Sequence, residues 1–227
     1  MSLLENIQQV KQRIDQACEK SSRNVSEVKI IAVTKYIGVE ETKHVLESGL
    51  TRIGENKVQS AIPKHEALSS LGGEWHFIGY LQTNKVKQII GKFDYIHSLD
   101  RLSLAEAIHK RATQLQTRVK CLIQVNVSGE ESKGGVDPKE LFDFCQSIRH
   151  YETLEIVGLM TMAPHINDTS PLRDIFRGLR ELRDQINQQQ LFDEPLLELS
   201  MGMSNDFEIA VEEGATFVRL GTVLFKS

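Results

Sequence analysis

The feature that most constrains the fold is a regular alternation of short apolar runs with stretches of helical periodicity. Eight runs have strand character, and between them apolar residues recur at intervals of three and four. This alternation predicts parallel βαβ units with right-handed crossovers, and eight such units indicate a closed (β/α)8 TIM barrel of the α/β class. The predicted strands are 29–33, 51–53, 74–78, 94–98, 119–127, 154–162, 196–199 and 216–220.

The predicted helices lie at 3–17, 39–48, 57–71, 83–90, 101–116, 138–149, 172–188 and 205–213. The first precedes the barrel as an extra N-terminal helix, and Gly49 and Gly214 end two of the others. Pro63 is expected to kink or interrupt the third, because proline cannot donate a backbone hydrogen bond. No long linker, repeat or low-complexity segment divides the sequence, so we expect one domain over residues 1–227.

Composition argues against several functional classes. The net charge is −4 over 227 residues, with acids and bases interspersed, which gives no footprint for general nucleic-acid binding. No apolar run approaches the length of a membrane span, and the first residues do not resemble a secretory signal. The widely spaced Cys18, Cys121 and Cys145 form no zinc or redox motif, so we expect free thiols and a cytoplasmic location.

Lys35 follows the first predicted strand, in the run AVTKY at 32–36. A lysine that ends a buried strand is costly to keep charged, and burial lowers its pKa. A neutral lysine amine is a nucleophile towards aldehydes, including that of pyridoxal phosphate. The alternative is an ordinary strand-end lysine whose ammonium group reaches water.

Polar or flexible residues follow the other predicted strands as well. In a barrel, functional groups collect at the carboxyl ends of the strands, so these residues mark the place where a site is expected. They are Asn56, His76 with Gly79, Ser98, Asn126, Met160 with Met162, Ser200 with Ser204, and Arg219 with Gly221 and Thr222.

The ends of the seventh and eighth strands resemble a phosphate site, since barrels often bind phosphate with the loops after these strands. Ser204 is placed to cap the helix beginning at Asn205, and its hydroxyl or the neighbouring amides could receive an anion instead. Gly221 allows close approach of the backbone, and Thr222 adds a hydroxyl. The alternative is that Ser204 only caps and Gly221 only turns the chain.

Arg219 shares a strand face with Phe217 and is expected to be buried, so it needs a partner. The structural alternative is an ion pair with Glu198, Glu55 or another acid. The functional interpretation is donation to a pyridine nitrogen. Because an arginine cannot accept a proton, it would keep that nitrogen unprotonated and make the ring a poorer electron sink.

Asn56 and His76 are candidates to line a ring pocket, although His76 could equally be a hydrogen-bonded core residue. Four methionines could pack against a flat cofactor, but methionines in barrels more often fill the core. They are Met160, Met162, Met201 and Met203.

Six motifs carry a resemblance to a known family: AVTKY at 32–36, GEN at 54–56, HFIGYLQTNK at 76–85, GLMTM at 158–162, SMGMSND at 200–206 and VRLGT at 218–222. They run in order over nearly the whole chain, and two of them are longer than five residues. By these motifs the chain resembles the pyridoxal phosphate homeostasis protein family, which includes the bacterial YggS type and the eukaryotic PROSC type.

The resemblance implies a barrel like that of alanine racemase (fold type III) and the cofactor pyridoxal 5'-phosphate, held as a Schiff base on Lys35. It also implies that Arg219 lies near the pyridine nitrogen. The cofactor-binding residues that the resemblance implies are Lys35, Asn56, His76, Ser200, Ser204, Arg219, Gly221 and Thr222. Neither a metal nor a catalytic residue is implied.

The family is usually monomeric and cytosolic and has no established turnover. The resemblance therefore implies a protein that buffers pyridoxal phosphate or delivers it to apoenzymes, without nucleic-acid or membrane partners. The run Leu-Phe-Lys-Ser at 224–227 departs from the family's usual ending, which puts the packing of the last helix in question.

Two alternatives remain open. One is an enzyme, a racemase or lyase of low activity, although the sequence shows no second domain that could supply a racemase's catalytic tyrosine. The other is a partner-binding module whose surface is the charged helix at 172–188, which we interpret as an ordinary solvated face.

Overall fold

Eight parallel strands close into a barrel in this computed structural model, which describes residues 2–164, 166 and 168–225. Each strand pairs with the next along the chain, and β8 pairs with β1 to close the sheet. The predicted barrel is confirmed. The strands are β1 Lys29–Val33, β2 Arg52–Glu55, β3 Glu74–Phe77, β4 Tyr95–Leu99, β5 Val119–Gln124, β6 Leu154–Met160, β7 Glu198–Ser200 and β8 Phe217–Leu220.

Helices surround the barrel and connect its strands. In the described residues they are α1 Leu3–Lys20, α2 Val39–Glu47, α3 Val58–Leu68, α4 Val86–Ile89, α5 Leu102–Gln114, α6 Leu141–Ile148, α7 Thr169–Gln188, α8 Phe207–Glu212 and α9 Thr222–Phe225. Within these ranges, no helix combines the length and the apolar character that a membrane crossing needs. The three cysteines are buried free thiols, as expected.

The extra N-terminal helix, α1, packs against the part of the chain that precedes and follows β8. Its start is capped reciprocally, because the Ser2 hydroxyl accepts from the Glu5 amide and the Glu5 carboxylate accepts from the Ser2 amide. The helix packs against α8 and α9. The buried Asn6 side chain donates to the Leu224 carbonyl at 2.9 Å, so α1 also holds the last helix in place.

Two sequence predictions differ from the structure in detail. Of the two effects expected of Pro63, a kink or an interruption, the interruption does not occur, since helix α3 continues through Pro63 to Leu68. Helix α8 begins at Phe207 rather than Asn205, so Ser204 is not its N-cap. The turn before this helix is instead closed by Asp206, whose carboxylate accepts from the Met203 amide at 2.6 Å.

Alternate strand residues point into the barrel and fill it. Its apolar centre is a buried cluster formed by Ile31, Tyr95, Leu122, Met160 and Phe217. At the amino ends of the strands, ion pairs join Lys29 to Glu198 and Arg52 to Glu74. The interior is therefore a packed core and not an open channel.

The charged face of α7 is not simply a solvated surface, as the sequence suggested. Arg173, Arg177 and Arg180 converge on Glu213, which follows α8, with nitrogen–oxygen distances of 2.9, 3.1 and 3.3 Å. Burial raises the pKa of Glu213, but hydrogen bonds from Arg177 and Arg173 outweigh it and leave the pKa below its ordinary value. These contacts fasten α7 to α8.

We expect Glu213→Gln to lower the free energy of unfolding by about 2 kcal/mol at pH 7, because it removes a buried charged acceptor from three guanidinium groups. The folded-state pKa is depressed, so this contribution is present above the unfolded pKa and is lost as the pH falls through the folded value. Urea unfolding at pH 7, 5 and 4 measures the loss.

The matched control is Glu208→Gln, which breaks the more exposed pair with Arg13. We expect it to change the free energy of unfolding by about 0–1 kcal/mol. A difference between wild type and Glu213→Gln that grew as the pH fell would contradict the assignment.

Candidate functional site

A cavity of about 1040 Å³ opens at the carboxyl ends of the strands. Residues from the end or following loop of each of the eight strands line it. Six of the eight predicted binding residues are among them, namely Lys35, Asn56, Ser204, Arg219, Gly221 and Thr222. Barrel geometry thus brings together side chains that are up to 187 positions apart in the sequence, from 35 to 222.

Lys35 lies two residues beyond the end of β1 and is half-buried in the cavity wall. Its side-chain nitrogen lies 4.8 Å from the centre of the Tyr36 ring, within the range of a cation–π contact. The preceding Thr34 is fully buried, and its amide donates to the Gly54 carbonyl at 3.0 Å. The backbone is therefore fixed by β2 one residue before the lysine.

A buried ion pair lies behind this lysine and was not predicted from the sequence. The Lys64 ammonium is 2.6 Å from a Glu55 carboxylate oxygen and also donates to the Thr34 carbonyl at 2.6 Å. The Thr34 hydroxyl donates to the same carboxylate, and Ser60 donates to its other oxygen. Glu55 and Lys64 together tie α3 to the segments that carry Lys35 and Asn56.

Asn56 and Gly79 lie side by side after β2 and β3. A Cβ atom at Gly79 would lie 2.1 Å from the Asn56 carbonyl oxygen and 2.7 Å from its Cα. Only glycine permits this approach of the two backbones, so its place in the sequence reflects the packing of two cavity loops.

We expect Gly79→Ala to destabilise the fold by about 3 kcal/mol, because the new methyl group meets backbone atoms that cannot rotate away. Urea unfolding measures the change. The control is Gly178→Ala in α7, where the nearest contact is a Val127 methyl at 3.2 Å and helix propensity favours alanine by about 1 kcal/mol. Equal stability of the two variants would show that the loops after β2 and β3 can separate.

The Ser204 hydroxyl lies where two backbone amides converge. Its oxygen accepts from the Gly221 amide at 3.4 Å and from the Val223 amide at 3.2 Å. Ser204 therefore joins the loop after β7 to the chain that follows β8, instead of capping α8. Thr222 lies between the two amides and lines the same part of the cavity. Converging amides and hydroxyl groups are typical of anion-binding sites.

Arg219 is buried at the base of the cavity. Its guanidinium donates to the Ser200 hydroxyl at 2.7 Å and to the Thr161 carbonyl at 2.9 Å. Of the two acids named as alternative partners, Glu198 pairs with Lys29 and Glu55 with Lys64. Burial lowers the pKa of Arg219 to about 10, with Asp206 acting in the opposite direction, so the group stays positively charged at neutral pH.

His76 and Ser200, the other two predicted residues, lie in the barrel core rather than in the cavity wall. His97 connects them: its Nε2 is 2.9 Å from Nδ1 of His76, and its Nδ1 is 2.9 Å from the Ser200 hydroxyl. Burial lowers the pKa of His76 to about 3 and that of His97 well below its ordinary value, so both rings are neutral.

Several residues of the site were not predicted, and strand alternation would have found one of them. His97 shares a strand face with the inward Tyr95, whereas Ser98, the residue predicted from this strand, is buried and does not line the cavity. Strand β5 ends at Gln124, which lines the cavity, so Asn126 lies beyond the site and bonds within its own loop. The other cavity residues that were missed include Tyr36, Asp100 and Lys133.

The four methionines divide between core and cavity. Met160 and Met201 are buried in the core, whereas Met162 and Met203 line the cavity.

The site thus offers a lysine amine, a group of anion-binding amides and hydroxyls, and a buried cation, all around a partly apolar space. This set fits a flat ligand that carries an aldehyde, a phosphate and a ring nitrogen.

Comparison with protein families identifies the domain. The family model described as "Alanine racemase, N-terminal domain" matches residues 3–227. Among curated proteins, the "Pyridoxal phosphate homeostasis protein" of Aquifex aeolicus (strain VF5) is 45% identical over 99% of this chain and 98% of its own length.

Solved structures agree with this relationship. The chain is 33% identical to PipY of Synechococcus elongatus PCC7942 in its structure with PLP bound, with a TM-score of 0.83 over 94% of this chain and 99% of that one. Alanine racemase of Clostridium difficile 630 is 14% identical, with a TM-score of 0.78 over 99% of this chain and 56% of that one, which shows a shared barrel fold. The chain belongs to the pyridoxal phosphate homeostasis protein family.

Proposed function

We propose that this protein binds pyridoxal 5'-phosphate in the cavity, holds it on Lys35, and takes part in intracellular homeostasis of the cofactor. The observation that carries the proposal is that Lys35, Arg219 and the amides around Ser204 belong to one cavity. The residues present fit the cofactor, and a relative with 33% identity is known in a structure with PLP bound.

Each part of the cavity has a role in the proposal. The Lys35 amine would attach the aldehyde covalently, and Ser204, Thr222 and the Gly221 amide would receive the phosphate. Asn56 would contact the ring from the β2 side. When bound, pyridoxal phosphate supplies a carbonyl that condenses with amines and a ring that withdraws electrons.

Arg219 would face the ring nitrogen with a positive charge. Since a guanidinium group offers donors and no acceptor, it holds its own protons and repels a proton at that nitrogen. An unprotonated ring is a poor electron sink, so the charge of Arg219 favours storage of the cofactor over turnover of a substrate.

The rim of the cavity suits exchange of the cofactor with other proteins. Tyr36 and Tyr80 line the cavity and are 87% and 63% exposed. Exposed aromatic side chains are common at protein interfaces, so we propose that apoenzymes dependent on pyridoxal phosphate approach this rim. We further propose that the carrier is a monomer of the cytoplasm, where its three buried thiols would stay reduced.

The test is an absorbance spectrum of the purified protein incubated with pyridoxal phosphate, before and after borohydride. We expect a visible band that borohydride removes, and peptide mapping should place the reduced adduct on Lys35. An adduct spread over surface lysines, or no band, would overturn the proposal.

The same preparation separates a carrier from a racemase or lyase of low activity. Exchange of the α-proton of amino acids with solvent is measured with the loaded protein and with free cofactor. A carrier is expected to match the free cofactor. Exchange well above that level, and dependent on Lys35, would show that the protein is an enzyme.

A further inference from the structure

A chain of four hydrogen-bonded side chains crosses the barrel beneath the cavity. Arg219 donates to the Ser200 hydroxyl at 2.7 Å, Ser200 bonds to Nδ1 of His97 at 2.9 Å, and Nε2 of His97 bonds to Nδ1 of His76 at 2.9 Å. All four side chains are buried. Arg219 alone of the four lines the cavity, so the other three act on a ligand only through it.

The rings of this chain are held in place by aromatic neighbours. His76 stacks on Tyr95, with centroids 4.4 Å apart and planes 10° apart. Phe217 packs its ring edge-to-face against both His76 and His97, at 5.3 and 5.7 Å. Packing of this kind resists rotation of the imidazoles, so both nitrogens of His97 and Nδ1 of His76 keep their partners.

The bonds define a direction for the protons. Arg219 can only donate, so the Ser200 oxygen accepts from it and its own hydrogen is available to Nδ1 of His97. Neutral His97 then carries its proton on Nε2 and donates to Nδ1 of His76. His76 then carries its proton on Nε2. Of the four ring nitrogens of His76 and His97, this is the one that has no partner in the described residues.

The reverse direction leaves more groups unsatisfied. If His76 donated to His97 and His97 to Ser200, the Ser200 hydrogen would lose its acceptor and the His76 Nε2 lone pair would also be unpartnered in the described part of the chain. The positive charge of Arg219 also orients the neighbouring dipoles with their hydrogens pointing away from it. At the other end, the positive charges of Arg52, Lys29 and Lys120 add to burial in lowering the pKa of His76. The charge of Asp206 acts to raise the pKa of Arg219.

We propose that Ser200 and His97, supported by His76, are positioning residues that fix the guanidinium of Arg219 through a one-way chain of neutral hydrogen bonds. This inference rests on the proposed function, in which Arg219 faces the ring nitrogen of pyridoxal phosphate. Hydrogen bonds to the Ser200 hydroxyl and the Thr161 carbonyl hold one edge of the guanidinium group. These bonds beneath the cavity therefore fix the direction in which Arg219 presents its charge.

The first test uses the cofactor-free protein, so it does not depend on the proposed function. Two-bond proton–nitrogen correlation spectra distinguish the two neutral tautomers and the charged form of histidine. At pH 7 we expect His76 and His97 both to carry the proton on Nε2. A proton on Nδ1 of either ring, or a charged ring, would overturn the proposed direction.

The second test follows the spectrum of the bound cofactor as the pH is varied. Ser200→Ala removes the acceptor of one edge of Arg219, and His97→Phe removes the acceptor of the Ser200 hydroxyl, which can then turn away from its place in the chain of bonds. In both variants we expect the pH at the midpoint of the absorbance change of the bound cofactor to move by about one unit. His97→Asn retains an acceptor for Ser200 and should restore a midpoint near that of the wild type. Tyr95→Phe, which alters the same core layer outside the chain, should leave the midpoint unchanged.

The outcomes separate the two proposals. If the wild type forms no adduct on Lys35, the proposed function fails, whereas the tautomers still decide the direction of the chain. If the adduct forms and the midpoints of His97→Phe and Ser200→Ala equal that of the wild type, the positioning role is wrong. Ser200→Ala removes only one buried hydroxyl, so it provides a folded variant should the larger change at His97 prevent folding.

Discussion

Lys35→Ala is expected to abolish the visible absorbance band and the borohydride-stable adduct of the protein with pyridoxal phosphate. The substitution removes the amine that lies two residues beyond β1 in the cavity wall. The side chain is only half-buried, so the fold should be nearly unchanged. Absorbance spectra, mass spectrometry after reduction and thermal unfolding measure the three properties.

The matched control is Lys133→Ala, because Lys133 lines the same cavity from the loop after β5. We expect this variant to keep the band and the adduct. Weak, non-covalent binding should also persist in Lys35→Ala, since the amides around Ser204 and the charge of Arg219 remain. An undiminished adduct in Lys35→Ala, or loss of the adduct in Lys133→Ala alone, would show that the cofactor attaches to a lysine other than Lys35.

The barrel could be predicted from the sequence because its periodicities are local. Each strand and helix carries its own apolar pattern, and the handedness rule then leaves few topologies for eight βα units. Strand β1 was predicted with its observed bounds, Lys29–Val33. The predicted end of the fifth strand at residue 127 is wrong: β5 ends at Gln124, because the chain from there bonds to the loop that contains Val136.

Six residues that line the cavity could be predicted because strand ends in a closed barrel necessarily meet. The partners of those residues could not be predicted, since they depend on three-dimensional contacts that leave no local pattern. Lys64 shares the buried face of α3 with Ala61 and Leu68, but no local pattern indicates which carboxylate it meets there. The same holds for Ser204, whose hydroxyl contacts amides 17 and 19 positions further along the chain.

Two sets of buried polar contacts support different parts of the site. The Glu55–Lys64 pair fixes the backbone that carries Lys35, and the chain ending at Ser200 fixes the side chain of Arg219. A carrier must retain its cofactor and yet release it, so rigid supports below an open rim are the expected design. Tyr36 and Tyr80 on the rim remain exposed.

Lys64→Met should cause the largest loss of stability among these variants, about 3–5 kcal/mol, because it leaves the fully buried Glu55 carboxylate without its counter-ion. The substitution also removes the bond to the Thr34 carbonyl, next to Lys35. We therefore expect slower trapping of pyridoxal phosphate by borohydride even where the variant is folded. Urea unfolding and the trapping rate measure the two effects.

A double variant tests whether the loss comes from the stranded charge. Combining Lys64→Met with Glu55→Leu replaces both partners by apolar groups, which is often close to neutral for a buried pair, so much of the stability should return. The control Lys92→Met breaks the exposed pair with Glu66 and should change stability by about 0–1 kcal/mol. If Lys64→Met were no more destabilising than Lys92→Met, the pair would not hold α3 against β1 and β2. If the double variant regained stability but still trapped the cofactor slowly, the bond from Lys64 to Thr34 would be what orients Lys35.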